Sequence, residues 1–174
     1  MKFLSVVVGV CALSAGLAAQ GPPAKGNGGK SAITVSVERL GCTTALGTDA
    51  FAVQSWSWGA SNPVVLGGGG GGAGKVSLSD LNVAKGFDAC SPALFGAVAT
   101  GKAFPTLTLT ASNKDGTTTT LTLSDVRVSS WQASGSAASD AAFESASFTF
   151  SKICLADGGS GARFCFDAKT GTSS

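Results

Sequence analysis

The chain has 174 residues, of which 44% are hydrophobic and 13% charged, with 12 basic side chains against 10 acidic ones and a formal net charge of +2. That length suits one domain, which would bury roughly two-thirds of the surface its unfolded chain exposes. The lysines and arginines are scattered singly instead of clustered, which argues against nucleic acid as a partner, because phosphate neutralisation needs grouped cations.

The first residues read as a targeting segment. Met1-Lys2 gives a positive start, Phe3–Leu13 an apolar run, and Ser14–Ala19 small residues suited to signal peptidase. An apolar run of about eleven to fifteen residues is too short to span a bilayer. Cys11 follows Val-Gly-Val, which does not resemble a lipoprotein site. Cleavage after Ala19 removes Lys2 and takes the charge from +2 to +1. Residues 1–19 are therefore expected to be a signal peptide of a secreted or periplasmic protein. Residues 20–31, rich in Gly, Pro and Lys, read as a flexible lead-in. Residues 32–155 form the folded domain, and 156–174 a Gly/Ser-rich tail.

Within the domain, Ile33, Val35 and Val37 alternate with Thr34, Ser36 and Glu38, the period-two pattern of a half-buried strand. A Gly/Thr-rich loop leads into Ala50–Gly59. There Phe51 and Val53 face one way and Trp56 and Trp58 the other, which suggests a bulge or a strand covered on both faces. The glycine run Gly67–Gly74 follows. With Lys75 it fits the spacing Gly-x-x-x-x-Gly-Lys of a phosphate-binding loop, but Val76 stands where that motif needs Ser or Thr. Val76-Ser77-Leu78-Ser79 alternates like a strand, where the motif needs a helix. The run reads as a loop between two strands, and Val76–Val83 as the second of them, with its own parity shift between Leu78 and Leu81.

One helix is expected, over Ser91–Thr100. Ser91 is suited to the N-cap, Pro92 to the first helical position and Gly101 to the stop. Leu94, Phe95 and Val98 make its apolar stripe, so it should lie on the strands as a plug. Phe104–Ser112 and Thr117–Trp131 flank Asn113-Lys-Asp-Gly116, a turn whose glycine can take positive φ. Ala142–Leu155 is the last long strand, with Phe148 and Phe150 on one face. Many strands, one capping helix and no α/β alternation favour a mainly β barrel. Thr106, Thr108, Thr110, Thr118, Thr120 and Thr122 put hydroxyls outward where Lys and Glu are usual. Such a face either meets other subunits or is an ordinary extracellular Thr/Ser surface.

In the exported product four cysteines remain: Cys42, Cys90, Cys154 and Cys165. Three pairings are possible. Cys154 and Cys165 flank a short Gly-rich turn, so their closure is easy, leaving Cys42 with Cys90. Four buried free thiols are the alternative. Zinc is not favoured, since no Cys-x-x-Cys pair and no histidine are present. The lack of His and Tyr also removes common catalytic groups. Asp80 with Asp88, or Asp140 with Glu144, would be the carboxylate pairs of a glycosidase, but nothing places either in a cleft. The chain is read as a non-enzyme with no cofactor and no metal.

Taken in order, Ser55-Trp-Ser-Trp-Gly59, Gly68–Val76, Asp80-Leu81, Lys85, Asp88, Ser91-Pro-Ala-Leu94, Gly101-Lys102, Leu107-Thr-Leu109, Leu121 to Val128, Glu144 to Phe150 and Lys152 resemble the haemolysin-coregulated protein (Hcp) family of type VI secretion. The resemblance spans roughly residues 32–155. It implies a compact Hcp-like β-barrel of antiparallel strands with one short capping α-helix, assembled into homo-hexameric rings that stack into a tube whose lumen can hold an effector. It further implies that the segment Leu40–Asp49 reaches toward another ring or subunit, and that the loop containing Gly70 and Gly74 lets backbone pass close to a neighbour. Lys75 and Asp80 become candidates for polar contacts across the ring. The family's usual members lack a signal peptide, so the leader and cysteines point to an exported relative. A monomeric secreted binding module is the alternative.

Overall fold

A computed structural model describes residues 31–63, 75–137 and 141–174; the leader, most of the lead-in and the glycine run lie outside them. The chain begins with β1 (Ala32–Val37) and a minimal hairpin, β2 (Thr43–Thr44) and β3 (Gly47–Thr48). Next come β4 (Ala50–Val53), β5 (Ser55–Ser57) and β6 (Ala60–Ser61), then β7 (Ser77–Leu78) and β8 (Leu81–Gly86). Helix α1 (Ser91–Thr100) precedes the long strands β9 (Ala103–Ser112) and β10 (Thr118–Ser134). β11 (Phe143–Thr149), β12 (Lys152–Asp157), β13 (Arg163–Asp167) and β14 (Thr172–Ser173) complete the order. The strands on either side of the glycine run, β6 and β7, pair antiparallel as expected for a loop joining two strands.

The pairings run in a circuit. β1 pairs β4 on one edge and β9 on the other; β9 pairs β10, β10 pairs β11, β11 pairs β8, and β8 pairs β5. Only Gln54 separates β5 from β4, and its N–H donates to the Ala84 carbonyl at 2.8 Å, so the circuit closes through one continuous segment. The parity change seen in the sequence marks this change of partner: Phe51 and Val53 are buried against the β1 side, and from Ser55 onward the chain pairs with β8. Inside the circuit, Val35, Val37, Phe51, Leu81, Phe104, Leu107, Leu109, Leu121, Leu123 and Phe148 are wholly or almost wholly buried. Burial of one such side chain contributes about 1.5–3 kcal/mol, so these inward positions dominate the fold's stability. On the opposite face, Thr34, Thr110 and Thr120 lie in one cross-strand row, and Ser36, Thr108 and Thr122 in the next, with the threonines half-buried.

One strand serves two bodies. β11 and β12 run along the same edge of β10 in nearly continuous register, broken at Phe150 and Ser151 opposite Asp125. Asp125 has φ 54°, and Ser151 donates both its N–H (3.0 Å) and its hydroxyl to this stretch, at the Ser124 carbonyl and the Asp125 carboxylate. The expected strand Ala142–Leu155 is thus two strands with a kink. On its far side β8 holds β11, while β13 holds β12, so the sheet forks. The sheet does not stop at Leu155: β13 and β14 extend it through the Gly/Ser-rich tail. An apolar cavity of about 290 Å³, lined by Trp58, Val76, Leu78, Leu155 and Phe164 among others, occupies the fork.

Helix α1 has the expected bounds but not the expected cap or stripe. Cys90 is the N-cap, and Ser91 is the first helical residue. The Ser91 hydroxyl accepts the Asp88 N–H at 2.9 Å, and Asp88 Oδ1 accepts the Cys90 N–H at 2.8 Å, so the preceding turn starts the helix one residue early. Leu94 and Ala97 are the buried pair, while Phe95 is 55% exposed and leans on Trp131 at 5.3 Å between ring centroids. Gly101 ends the helix at φ 64° in the left-handed region. With no side chain near that position, Gly101→Ala should cost about 1 kcal/mol through backbone strain alone, measured by chemical denaturation.

Candidate functional site

The segment from Leu40 to Asp49 is fixed by two separate devices. Leu40 itself is only 4% exposed and belongs to the core, so it anchors the segment from beneath instead of offering a contact. Asp49 takes φ 59°, and its carboxylate accepts the backbone N–H groups of Arg39 (3.0 Å), Gly41 (2.6 Å) and Cys42 (3.2 Å). Its own N–H donates to the Cys42 carbonyl at 2.8 Å. The second device is the disulfide Cys42–Cys90, which fastens the segment to the N-cap of α1. Between these points β2 and β3 carry Leu46, 51% exposed, on a hairpin without a charged side chain.

The Asp49 carboxyl is held below its ordinary value of 3.8, first by the Gly41 N–H; burial, the next-largest influence, opposes this, and the N–H groups of Cys42 and Arg39 and the Lys102 charge add to the lowering. A carboxyl whose folded value is depressed stabilises the fold above the unfolded value, and that contribution is lost as pH falls through the folded value. The cage should therefore loosen in acid, below pH 3.8. Amide proton shifts of Arg39, Gly41 and Cys42 should titrate together in that range. Asp49→Asn, which tolerates the left-handed backbone, should abolish that titration.

A second cluster lies beneath α1. Lys85 on β8 is wholly buried, and Glu144 on β11 is 3% exposed. Lys85 Nζ donates to Glu144 Oε1 at 2.6 Å, to the Gly86 carbonyl at 2.9 Å and to the Ser91 hydroxyl at 3.4 Å, and pairs with Asp88 Oδ1 at 2.8 Å. Glu144 Oε2 accepts the Trp131 indole N–H at 3.0 Å, and the Phe51 ring centroid lies 5.3 Å from the ammonium. Every charge here has a partner, which is the condition for burying one at all. Sequence reasoning did not single out this cluster as a site. The signal was available in parity: Lys85 continues the inward series Leu81, Val83, and Glu144 begins the inward series Ala146, Phe148.

The remaining candidates are dispersed. Lys75 is exposed at the end of the glycine run, whereas Gly70 and Gly74 lie outside the described residues. Asp80 accepts the Ser129 hydroxyl proton at 2.6 Å, while Asp88 serves Lys85, so these two carboxylates have different partners. Asp140 lies outside the described residues. The structure pairs the cysteines Cys42–Cys90 and Cys154–Cys165, the second pair standing directly opposite each other on β12 and β13. Among the described residues, no group of three or more His, Cys, Asp or Glu could hold a metal ion. No helix there is long and apolar enough to cross a membrane.

A closed circuit of antiparallel strands, one helix over a buried ion pair, and an uncharged hairpin fastened by Asp49 and a disulfide define a mainly β protein with a single short helix. Residues 28–156 match the family described as "Type VI secretion system effector, Hcp". The chain belongs to the Hcp family. It is similar to a solved structure of a type six secretion system protein, with 23% identity, a TM-score of 0.72, and coverage of 83% of this chain and 100% of that one. It is also similar to Hcp1 from Salmonella typhimurium, again with 23% identity, a TM-score of 0.70, and coverage of 83% and 99%. A third similarity, with 17% identity, a TM-score of 0.52 and coverage of 79% and 93%, is to a chain of an extracellular contractile injection system sheath–tube complex in its extended state. No curated protein sequence matches the chain.

Proposed function

We propose that the protein is a self-assembling ring or tube subunit of the type VI secretion kind, made in an exported form and without catalytic activity of its own. The family match over residues 28–156 carries this reading, and the likeness to a chain of a sheath–tube complex is consistent with it. The partner is the protein itself, as a homo-hexameric ring that stacks, with a lumen wide enough for a small effector. The contacts between copies fall to the hairpin that Asp49 holds, to the loop containing Gly70 and Gly74, and to Lys75 and Asp80; Leu40 supports the hairpin from the core. Two features favour this over a solitary module. The hairpin is fastened before any partner arrives, which lowers the ordering cost of association, and the hydroxyl rows on β1, β9 and β10 carry no charge to repel a neighbour.

Export rests on residues 1–19, whose positive start, apolar run and small residues fit signal peptidase. Electron microscopy of the processed protein tests the assembly. Rings with sixfold symmetry are expected, whereas isolated single-copy particles at every concentration would favour the monomeric secreted binding module.

A further inference from the structure

One broad groove takes no part in the contacts proposed between copies. It is a groove of about 880 Å³ between the end of β1, the start of β9, the kink at Phe150–Ser151 and the turn before β14. Ala103, Pro105, Phe150 and Ala168 give it an apolar floor. Three cations reach it from three separate parts of the chain: Arg39, Arg127 and Lys169. Asp125 is its one carboxylate, so the lining carries a net charge of 3 − 1 = +2.

Much of the donor capacity of these cations is unspent. A guanidinium has five N–H groups. Arg127 uses Nη1 on the Gly101 carbonyl at 2.8 Å, and Arg39 has only a 3.6 Å approach of Nε to Glu38. Lys169 is held by Asp125 at 2.8 Å yet is 67% exposed. The backbone adds an independent pointer. Three described non-glycine residues have positive φ, and two of them, Arg39 (67°) and Asp125 (54°), line this groove. The third, Asp49, accepts the Arg39 N–H. The Asp49 cage and the Ser151 kink thus fix the backbone at Arg39 and Asp125, on two sides of the groove.

We infer that this groove is a binding site for a small oxyanion, a carboxylate or phosphate, carried on an apolar body. The planar fork of Arg39 or Arg127 matches a carboxylate or phosphate edge in a two-point contact, Lys169 adds a point charge, and the apolar body covers Pro105 and Phe150. Asp125 opposes the ligand's charge and competes for Lys169. That opposition gives the site a signature of opposite signs.

Calorimetric titration of the processed protein with phenyl phosphate, phenylacetate and inorganic phosphate tests the inference and separates the two oxyanions. Saturable binding of at least one aromatic probe is expected, weaker for inorganic phosphate, and weakening as salt rises. Arg39→Ser and Lys169→Gln should each lower the affinity about five- to tenfold, because each removes a charge-assisted contact. Asp125→Asn, whose side chain tolerates the left-handed backbone, should raise it about two- to fivefold by removing the like charge. Arg39 and Lys169 are largely solvated (75% and 67% exposed), so their replacement leaves the fold in place. No saturable heat from any probe at millimolar concentration overturns the inference. So does binding that none of the three substitutions alters, or inorganic phosphate binding as tightly as the aromatic probes.

Discussion

Glu144→Ala should destabilise the protein by about 3–5 kcal/mol, because it leaves the Lys85 ammonium charged and without its principal partner in a site closed to water. Lys85 is wholly buried, and its contact with Glu144 at 2.6 Å is the shortest it makes. Asp88 remains at 2.8 Å but is partly solvated, so its carboxylate compensates less. The part-buried Trp131 indole loses its acceptor as well. The damage should be local in origin and global in effect, since the cluster joins β8, β11 and the first turn of α1. Replacing both charges at once, as Lys85→Met with Glu144→Leu, should recover most of the loss, because removing a buried pair together is often close to neutral. Urea unfolding of the two variants distinguishes an ion pair that is needed as a pair from one that contributes stability by itself.

The second large effect concerns Cys42 and Cys90. Their bond closes a stretch of sequence separation 48, against 11 for Cys154 and Cys165. In the chain-entropy account, these separations correspond to roughly 4 and roughly 3 kcal/mol of stabilisation at room temperature. The paired substitution Cys42→Ser with Cys90→Ser should therefore cost about 1 kcal/mol more than Cys154→Ser with Cys165→Ser. The two should also differ in place. Loss of the first should raise amide hydrogen exchange in β2, β3 and the first turn of α1, and loss of the second should raise it in β13 and β14 alone. Identical exchange profiles would contradict the assignment of separate roles.

Much of this architecture could be read from the residues. Period-two alternation located β1, β9 and β10, and Asn113-Lys-Asp-Gly116 marked the turn between the last two, where Gly116 takes φ 87° and Asn113 N–H donates to the Thr117 carbonyl at 2.9 Å. Loop-closure reasoning reached the observed cysteine pairing. What escaped has physical reasons. β2, β3 and β14 are two residues long and leave no periodic trace. β13 carries the apolar run Phe164-Cys165-Phe166, which does not alternate, and it is embedded in a stretch rich in Gly and Ser. Phe95 matched a helical stripe, yet Ala97 takes the inward place because β10 lies on that side and Trp131 offers Phe95 an outer contact. The Asp49 cage depends on three N–H groups converging from a loop, which no spacing rule encodes. A lysine and a glutamate at inward positions were legible, but their meeting required the pairing of β8 with β11.

Association between copies is read from molar mass by light scattering on the processed, oxidised protein across a range of concentrations. A species at six times the mass of one processed chain, or larger stacks of it, is expected. A single-chain mass that persists at high micromolar concentration would contradict it.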